Sequence, residues 1–115
     1  YLEDRLRMLT RAGIAPERIV LDPGFGFGKT LEHNLTLLRH LPDLGIEDRP
    51  LLIGVSRKSM IGKVIHSTHM ADRYWPTIAL TAHAREHGAR IIRVHDVKPN
   101  AQALRMTEAI IDGVA

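Results

Sequence analysis

The 115-residue sequence contains no cysteine. Disulfide frameworks, thiolate metal sites and cysteine nucleophiles are thereby excluded, and such usage fits a reducing cytoplasm. Aromatic residues make up only 4%, too few to tile a base-stacking platform, and no Lys/Arg run exceeds two residues, so nucleic acid is not the expected partner. No apolar run approaches the roughly 18 residues that span a bilayer. Glu3, Asp4, Arg5, Arg7 and Arg11 crowd the first helical stretch, a pattern foreign to a signal peptide.

What is present describes one ordinary globular unit. Hydrophobic residues make up 44% and charged residues 25%, which is enough apolar material for one core and argues for a single domain, residues 1–115, with no internal boundary. The formal net charge of +3 and pI near 9.7 lean towards an anionic partner. A few cations at one site for a small phosphorylated substrate account for that excess.

Periodicity gives the element order. Leu2, Leu6 and Leu9 recur at helical spacing and Gly13 follows, which predicts a helix over 2–12. Ile19, Val20 and Leu21 form a short apolar strand ending at Asp22. Leu31, Leu35, Leu38 and Leu41 mark a second helix stopped at Pro42, and a polar, turn-rich connection spans 43–50. A second strand over 51–55 runs into Ser56, Arg57, Lys58 and Ser59. A short helix follows around Met60–Ile65, then a longer one over 76–87 with Ile78, Ala79 and Ala82 expected inward and Trp75 as a packing anchor. The third strand, 91–94, ends at His95 and Asp96, and a last helix starts with Asn100 as N-cap, carrying Ala103, Met106, Ile110 and Val114 on one face.

The order αβαβαβα with uniformly apolar strands implies a parallel sheet covered by helices, joined by right-handed crossovers. All three strands deliver polar side chains at their C-terminal ends, where ligands bind in parallel α/β folds. Three units cannot close a barrel and would leave two exposed edges. The chain is therefore expected to be a C-terminal piece of a larger (β/α)8 barrel.

The glycine-rich loop 23–29 resists the common phosphate patterns. Gly28, Lys29 and Thr30 fit the second half of a Walker A motif, but Pro23 occupies the first glycine position, and Gly24, Gly26 and Gly28 have the wrong spacing for a dinucleotide fingerprint. The bland expectation is a loop that approaches something closely, with Phe25 and Phe27 packing. Asp22 is read either as a turn former or as the acceptor of a fork of N–H groups from a planar heterocycle. Arg93 and His95, two apart on a strand, share one face. Arg93 would be costly if buried and unpaired, a cost that a phosphate-type anion, Asp96 or another carboxylate would offset. His66 and His69 lack a third ligand at matching spacing, and His33, His40, His83 and His87 read as surface residues.

Taken together, the runs Asp22-Pro23-Gly24-Phe25-Gly26-Phe27-Gly28-Lys29, Gly54-Val55-Ser56-Arg57-Lys58-Ser59 and Arg93-Val94-His95-Asp96-Val97 resemble, in order and separation, the last three strand-end motifs of dihydropteroate synthase. The resemblance implies strands six to eight of a TIM-type barrel. It also implies condensation of 6-hydroxymethyl-7,8-dihydropterin pyrophosphate with p-aminobenzoate to give 7,8-dihydropteroate and pyrophosphate. By the same resemblance Asp22, Gly26, Phe27 and Lys58 meet the pterin, and Ser56, Arg57 and Phe27 meet the aminobenzoate. Arg93 and His95 take the pyrophosphate, with Lys58, Arg93 and His95 as the catalytic set. A Mg2+ ligand is expected outside this chain, sulfonamides mimic aminobenzoate, and a homodimer is implied for the whole enzyme. The run Arg73-Tyr74-Trp75-Pro76-Thr77 departs from the small-residue run of many bacterial members and is expected to lie away from the strand ends. With five strands missing, the piece alone is expected to be inactive. Competing readings are a non-catalytic pterin- or phosphate-binding module, an inactive paralogue, or a pterin-dependent methyltransferase domain.

Overall fold

The computed structural model describes residues 1–45 and 48–114. Ile46 and Glu47 of the predicted connection lie outside the described residues, as does Ala115.

The chain folds as an α/β unit. Helices α1 (Leu2–Arg11) and α2 (Leu31–Arg39) precede strand β1 (Leu52–Ile53), α3 (Ser59–Ile65) and α4 (Tyr74–Glu86) lead to strand β2 (Ile91–Ile92), and α5 (Val97–Asp112) follows. Short 3-10 turns occupy Pro16–Arg18, Leu41–Leu44 and Met70–Arg73. The two strands pair in parallel, Leu52 with Ile91 and Ile53 with Ile92. The predicted first strand contracts to one parallel bridge, Leu21 to Leu51, made by Leu21 N–H to the Pro50 carbonyl (2.9 Å) and Leu52 N–H to the Leu21 carbonyl (2.8 Å). Asp22 ends this segment because its carboxylate turns the chain, accepting from Gly24 N–H at 2.8 Å.

Burial alternates along the strands and divides the sheet into two faces. Ile19, Leu21, Leu51, Ile53 and Val55 point into the helix layer and are buried. On the other face Val20 and Ile91 are 44% and 40% exposed. The molecule is 22 Å thin, the depth of one sheet and one helix layer at about 10 Å each. The core lies between the two layers. Phe25, Leu38, Leu41, Ile53, Val55, Met60 and Ile61 form its main part, and Leu6 of α1 closes over Ile19, Leu21 and Leu51.

Several local expectations change. Helix α4 starts at Tyr74, not Pro76, and buries Thr77, Thr81 and Ala84 in place of Ile78, Ala79 and Ala82. Its inward face is polar because α5 supplies a partner: Thr81 Oγ1 donates to Asn100 Oδ1 at 2.6 Å. Asn100 is therefore not an N-cap. Helix α5 begins at Val97, and the buried Asn100 side chain donates to the Asp96 carbonyl at 2.7 Å. Pro99 fits inside that first turn, where backbone N–H groups have no helical partner. Trp75 is 73% exposed, and Met106, Ile110 and Val114 also face outward. His83 and His87 are half-buried and stacked 4.1 Å apart, His83 Nε2 bonding the Leu38 carbonyl at 2.7 Å.

Candidate functional site

The parallel register puts chemistry on the face that the helices leave open. Residues paired across a parallel ladder point the same way, so extending the pairing aligns Asp22 with Leu52 and Ile91, then Gly54 with Arg93, then Ser56 with His95. Side-chain contacts follow this alignment. Arg93 Nη1 lies 3.5 Å from Asp22 Oδ2, and Ser56 Oγ is 2.8 Å from His95 Nδ1 while accepting from the His95 backbone N–H at 3.1 Å. Gly54 is required by Arg93. A Cβ at position 54 would sit 2.3 Å from Nη2 and 2.8 Å from Cζ of the guanidinium. Arg93 thus lies across Gly54 and reaches Asp22, the carboxylate among the alternatives open from sequence.

Lys58 enters from the turn after β1. Lys58 N–H closes that turn onto the Val55 carbonyl at 3.1 Å, and its Nζ donates to the Phe25 carbonyl. The same ammonium stands 4.6 Å from the Phe27 ring centroid, a cation–π distance. Desolvation holds the Lys58 pKa below its ordinary 10.5; Arg93 and Lys29 push it the same way, and Asp22 opposes them. Together Gly54, Ser56, Lys58, Arg93, Val94 and His95 line a cavity of about 240 Å3. Lys58 and Arg93 are the two cations of this lining, and Asp22 joins them through its approach to Arg93 and its field at Lys58.

The glycine-rich loop is built around a buried anchor and an exposed tip. Phe25 is fully buried, whereas Phe27 is 71% exposed and does not pack as expected. Gly26 adopts φ +83° and lies against Lys58, whose Cδ would be 3.3 Å from a Cβ there. Asn34 of α2, itself buried, fixes this glycine by accepting its N–H at 3.0 Å. Lys29 folds back on the loop, donating to the Gly24 carbonyl at 2.9 Å, and Thr30 caps α2 by accepting from His33 N–H at 3.2 Å.

Arg57 stands slightly apart from the cavity. Its guanidinium forks onto Asp96, with Nη2 to Oδ1 at 2.8 Å and Nε to Oδ2 at 3.2 Å, a bidentate arrangement. Arg73 and Thr77, expected away from the strand ends, reach the Arg57 backbone: Arg73 Nη1 donates to its carbonyl at 2.9 Å and Thr77 Oγ1 accepts its N–H at 3.1 Å. Asn34, Arg73, Thr77 and Asp96 do not stand out as site residues from sequence. Only the Asp96 alternative for an arginine gives any signal, and its partner is Arg57.

A larger cavity of about 490 Å3 lies among α2, α3 and α4, lined by apolar residues such as Leu35, Ile61 and Leu80. It shares no lining residue with the smaller cavity, and Arg39 and His83 are the titratable groups on its wall. Among the described residues no helix is long and apolar enough to cross a membrane.

Comparison with known proteins points to one family. Residues 1–95 match the family described as pterin binding enzyme. The chain is 56% identical over 111 residues to dihydropteroate synthase of Neisseria meningitidis serogroup C, covering 96% of this chain and 39% of that protein. It is 44% identical over 111 residues to dihydropteroate synthase of Escherichia coli K12, with the same coverage of each. Among solved structures, dihydropteroate synthase of Xanthomonas albilineans in complex with 7,8-dihydropteroate superimposes with a TM-score of 0.92 at 38% identity, covering 96% of this chain and 42% of that one. A Yersinia pestis structure with a pterine-sulfa conjugate gives 0.90 at 43% identity, again covering 96% and 42%. The chain thus spans about two fifths of the length of these relatives.

Proposed function

The chain belongs to the pterin binding enzyme family, and from that premise we propose that the whole protein is a dihydropteroate synthase, of which these residues form the C-terminal three β/α units of a (β/α)8 barrel. The observation that carries the reading is that Lys58 and Arg93 line one cavity and share Asp22 as their neighbouring carboxylate. The relatives named above are dihydropteroate synthases, one of them holding 7,8-dihydropteroate. The open sheet face supports the barrel reading, because Val20, Leu52 and Ile91 would line a barrel interior with the charged groups at its C-terminal rim.

In this proposal the arylamine nitrogen of p-aminobenzoate bonds to the pterin methylene carbon as the carbon–oxygen bond to pyrophosphate breaks. The amine proton leaves to solvent or to the departing pyrophosphate. Negative charge grows on that leaving group, and cations already in position stabilise it without reorganising. Arg93 supplies a planar fork and His95 its Nε2, since Nδ1 is held by Ser56. Asp22 accepts the heterocycle's N–H groups through its two oxygens. Lys58 meets the pterin carbonyl and ring nitrogen, with Gly26 and Phe27 bordering the ring. Ser56 and Arg57 lie on the side of the aminobenzoate carboxylate. The attacking amine needs orientation more than deprotonation, so positioning and electrostatics suffice and no covalent nucleophile is invoked.

The Mg2+ that the resemblance implies finds no ligand set here. No group of three or more His, Asp or Glu gathers among the described residues, and the cavity walls are cationic. No step is routed through the ion, and its ligand belongs to this proposal only as a residue outside the chain. A homodimer of the whole enzyme and a cytoplasmic setting complete the reading.

The test is titration of the whole protein with dihydropterin pyrophosphate, followed by an assay for dihydropteroate on adding p-aminobenzoate. Binding with turnover is expected. Binding without product would favour the non-catalytic module, and the 115-residue chain alone is expected to give no product.

A further inference from the structure

Arg57 separates two side chains of the cavity, Ser56 and Lys58, and its backbone is left-handed with φ +55°. It stands third in the turn that Lys58 N–H closes onto the Val55 carbonyl, a place where left-handed backbone favours glycine or asparagine. A β-carbon there works against the conformation that the site requires. Such strained backbone persists where the surroundings over-determine it.

Helix α4 and the turn before it supply that determination. Thr77 is 1% exposed, and its hydroxyl accepts the Arg57 N–H at 3.1 Å while donating to the Arg73 carbonyl at 2.6 Å. Arg73 passes beside α3 and donates through Nη1 to the Arg57 carbonyl at 2.9 Å. Room for it comes from Gly62, where a Cβ would stand 3.3 Å from both Nε and Nη2 of Arg73 and 2.8 Å from the Ser67 carbonyl. Arg73 Nε is buried without a hydrogen-bond partner. Its guanidinium is thus committed to the Arg57 carbonyl at the expense of that nitrogen. Both backbone polar groups of the strained residue are held from outside the turn, by Arg73 and Thr77, and its side chain is held by Asp96.

We propose that Arg73 and Thr77 are positioning residues for the pterin site, clamping the Arg57 backbone so that Ser56 and Lys58 project together into the cavity. The inference rests on the pterin reading given above. Neither residue lines that cavity, so their effect passes through the turn. Releasing either contact lets residue 57 relax towards right-handed or extended backbone, which reorients the Lys58 ammonium away from the Phe25 carbonyl and the cavity.

The experiment uses the whole protein in four forms: unaltered, Thr77→Val, Thr77→Ser and Arg73→Gln. Affinity for dihydropterin pyrophosphate is read by titration calorimetry and the thermal midpoint by calorimetric scan. Valine keeps the buried shape of Thr77 but removes its acceptor, whereas serine keeps the hydroxyl. The expected result is about tenfold weaker pterin binding for Thr77→Val and Arg73→Gln, with near-unaltered binding for Thr77→Ser. Should Thr77→Val fold poorly, the half-buried Arg73→Gln carries the test. Unaltered affinity in Arg73→Gln, or in a folded Thr77→Val, overturns the clamp and leaves the pterin reading standing. A Thr77→Ser form as weak as Thr77→Val also overturns it, since the hydroxyl would not be what matters. Absence of pterin binding by the unaltered protein overturns the pterin reading, and the clamp with it.

Discussion

Gly54→Ala separates folding from chemistry at one carbon atom. The new Cβ would stand 2.3 Å from Arg93 Nη2, whereas ordinary contact is about 3.5 Å. The guanidinium must therefore retreat by more than about 1 Å. Arg93 is the end of a flexible, half-exposed side chain, so it can retreat at little cost. Gly54 is not a left-handed glycine, and an alanine there narrows the unfolded ensemble by about 0.4–1 kcal/mol in favour of the fold. The thermal midpoint should hold or rise slightly. Activity should not hold. A displacement of that size moves Arg93 off Asp22 and off the pyrophosphate position proposed for it, and misplacing a group with such a role by about 1 Å costs on the order of 100-fold. The assay is pyrophosphate release by the whole protein with both substrates, run beside a calorimetric scan. Gly54→Ala combined with Arg93→Ala should be no slower than Arg93→Ala alone, because both substitutions remove the same interaction. Unimpaired kcat/KM in Gly54→Ala, or additive losses in the double variant, would refute the placement of Arg93.

Four further outcomes are expected. Lys58→Ala and Arg93→Ala in the whole protein should each lower turnover by two or more orders of magnitude with the fold retained, as steady-state kinetics and circular dichroism will show. Phe25→Ala, at a fully buried position, should cost about 3–5 kcal/mol in urea unfolding and loosen the loop that Lys58 grips. Asp96→Asn should cost about 1 kcal/mol, since it weakens a fork to a partly exposed Arg57 without removing a side-chain cap from α5. The last outcome concerns pH. Lys58 titrates below 10.5 in the folded chain, so between its folded pKa and 10.5 the unfolded state binds more protons and stability rises with pH. Lys58→Met should remove that rise, so the unaltered protein should gain stability relative to the variant as pH climbs through this window, with the difference constant below the folded pKa.

The sequence and the structure agree best where local pattern decides. Leu6 and Leu38 anchor helices that leucine spacing alone predicts, and both are buried. The three strand ends also stand out, because an apolar run that stops at Asp22, at Ser56 or at Arg93 marks the place where a buried strand hands polar groups to a rim. The inner face of α4 is illegible in the sequence for a physical reason. Hydropathy selects Ile78 and Ala82, but Thr81 is buried by virtue of a hydrogen bond to Asn100, 19 residues away, and no local pattern records that partner. Arg73 and Thr77 escape the sequence for the same reason: their contact with the Arg57 backbone is a property of the assembled fold. The start of α5 is hidden because Pro99 suggests a residue preceding the helix, when it fits within the first turn. The first strand comes out shorter than expected because an apolar triplet does not specify how many ladder hydrogen bonds it will find.

The alternation of the strands has a consequence for anyone who would alter this protein. Val20, Asp22, Gly54, Arg93 and His95 share one face because each occupies the same parity along its strand. Deleting or inserting a single residue between the paired Ile91 and Arg93 would exchange odd for even, sending Arg93 and His95 among the helices and turning Val94 outward in their place. Every residue would keep its identity while the constellation vanished. What must be preserved in redesign is therefore a count as much as a composition, and length changes belong in the connections, where parity has no meaning.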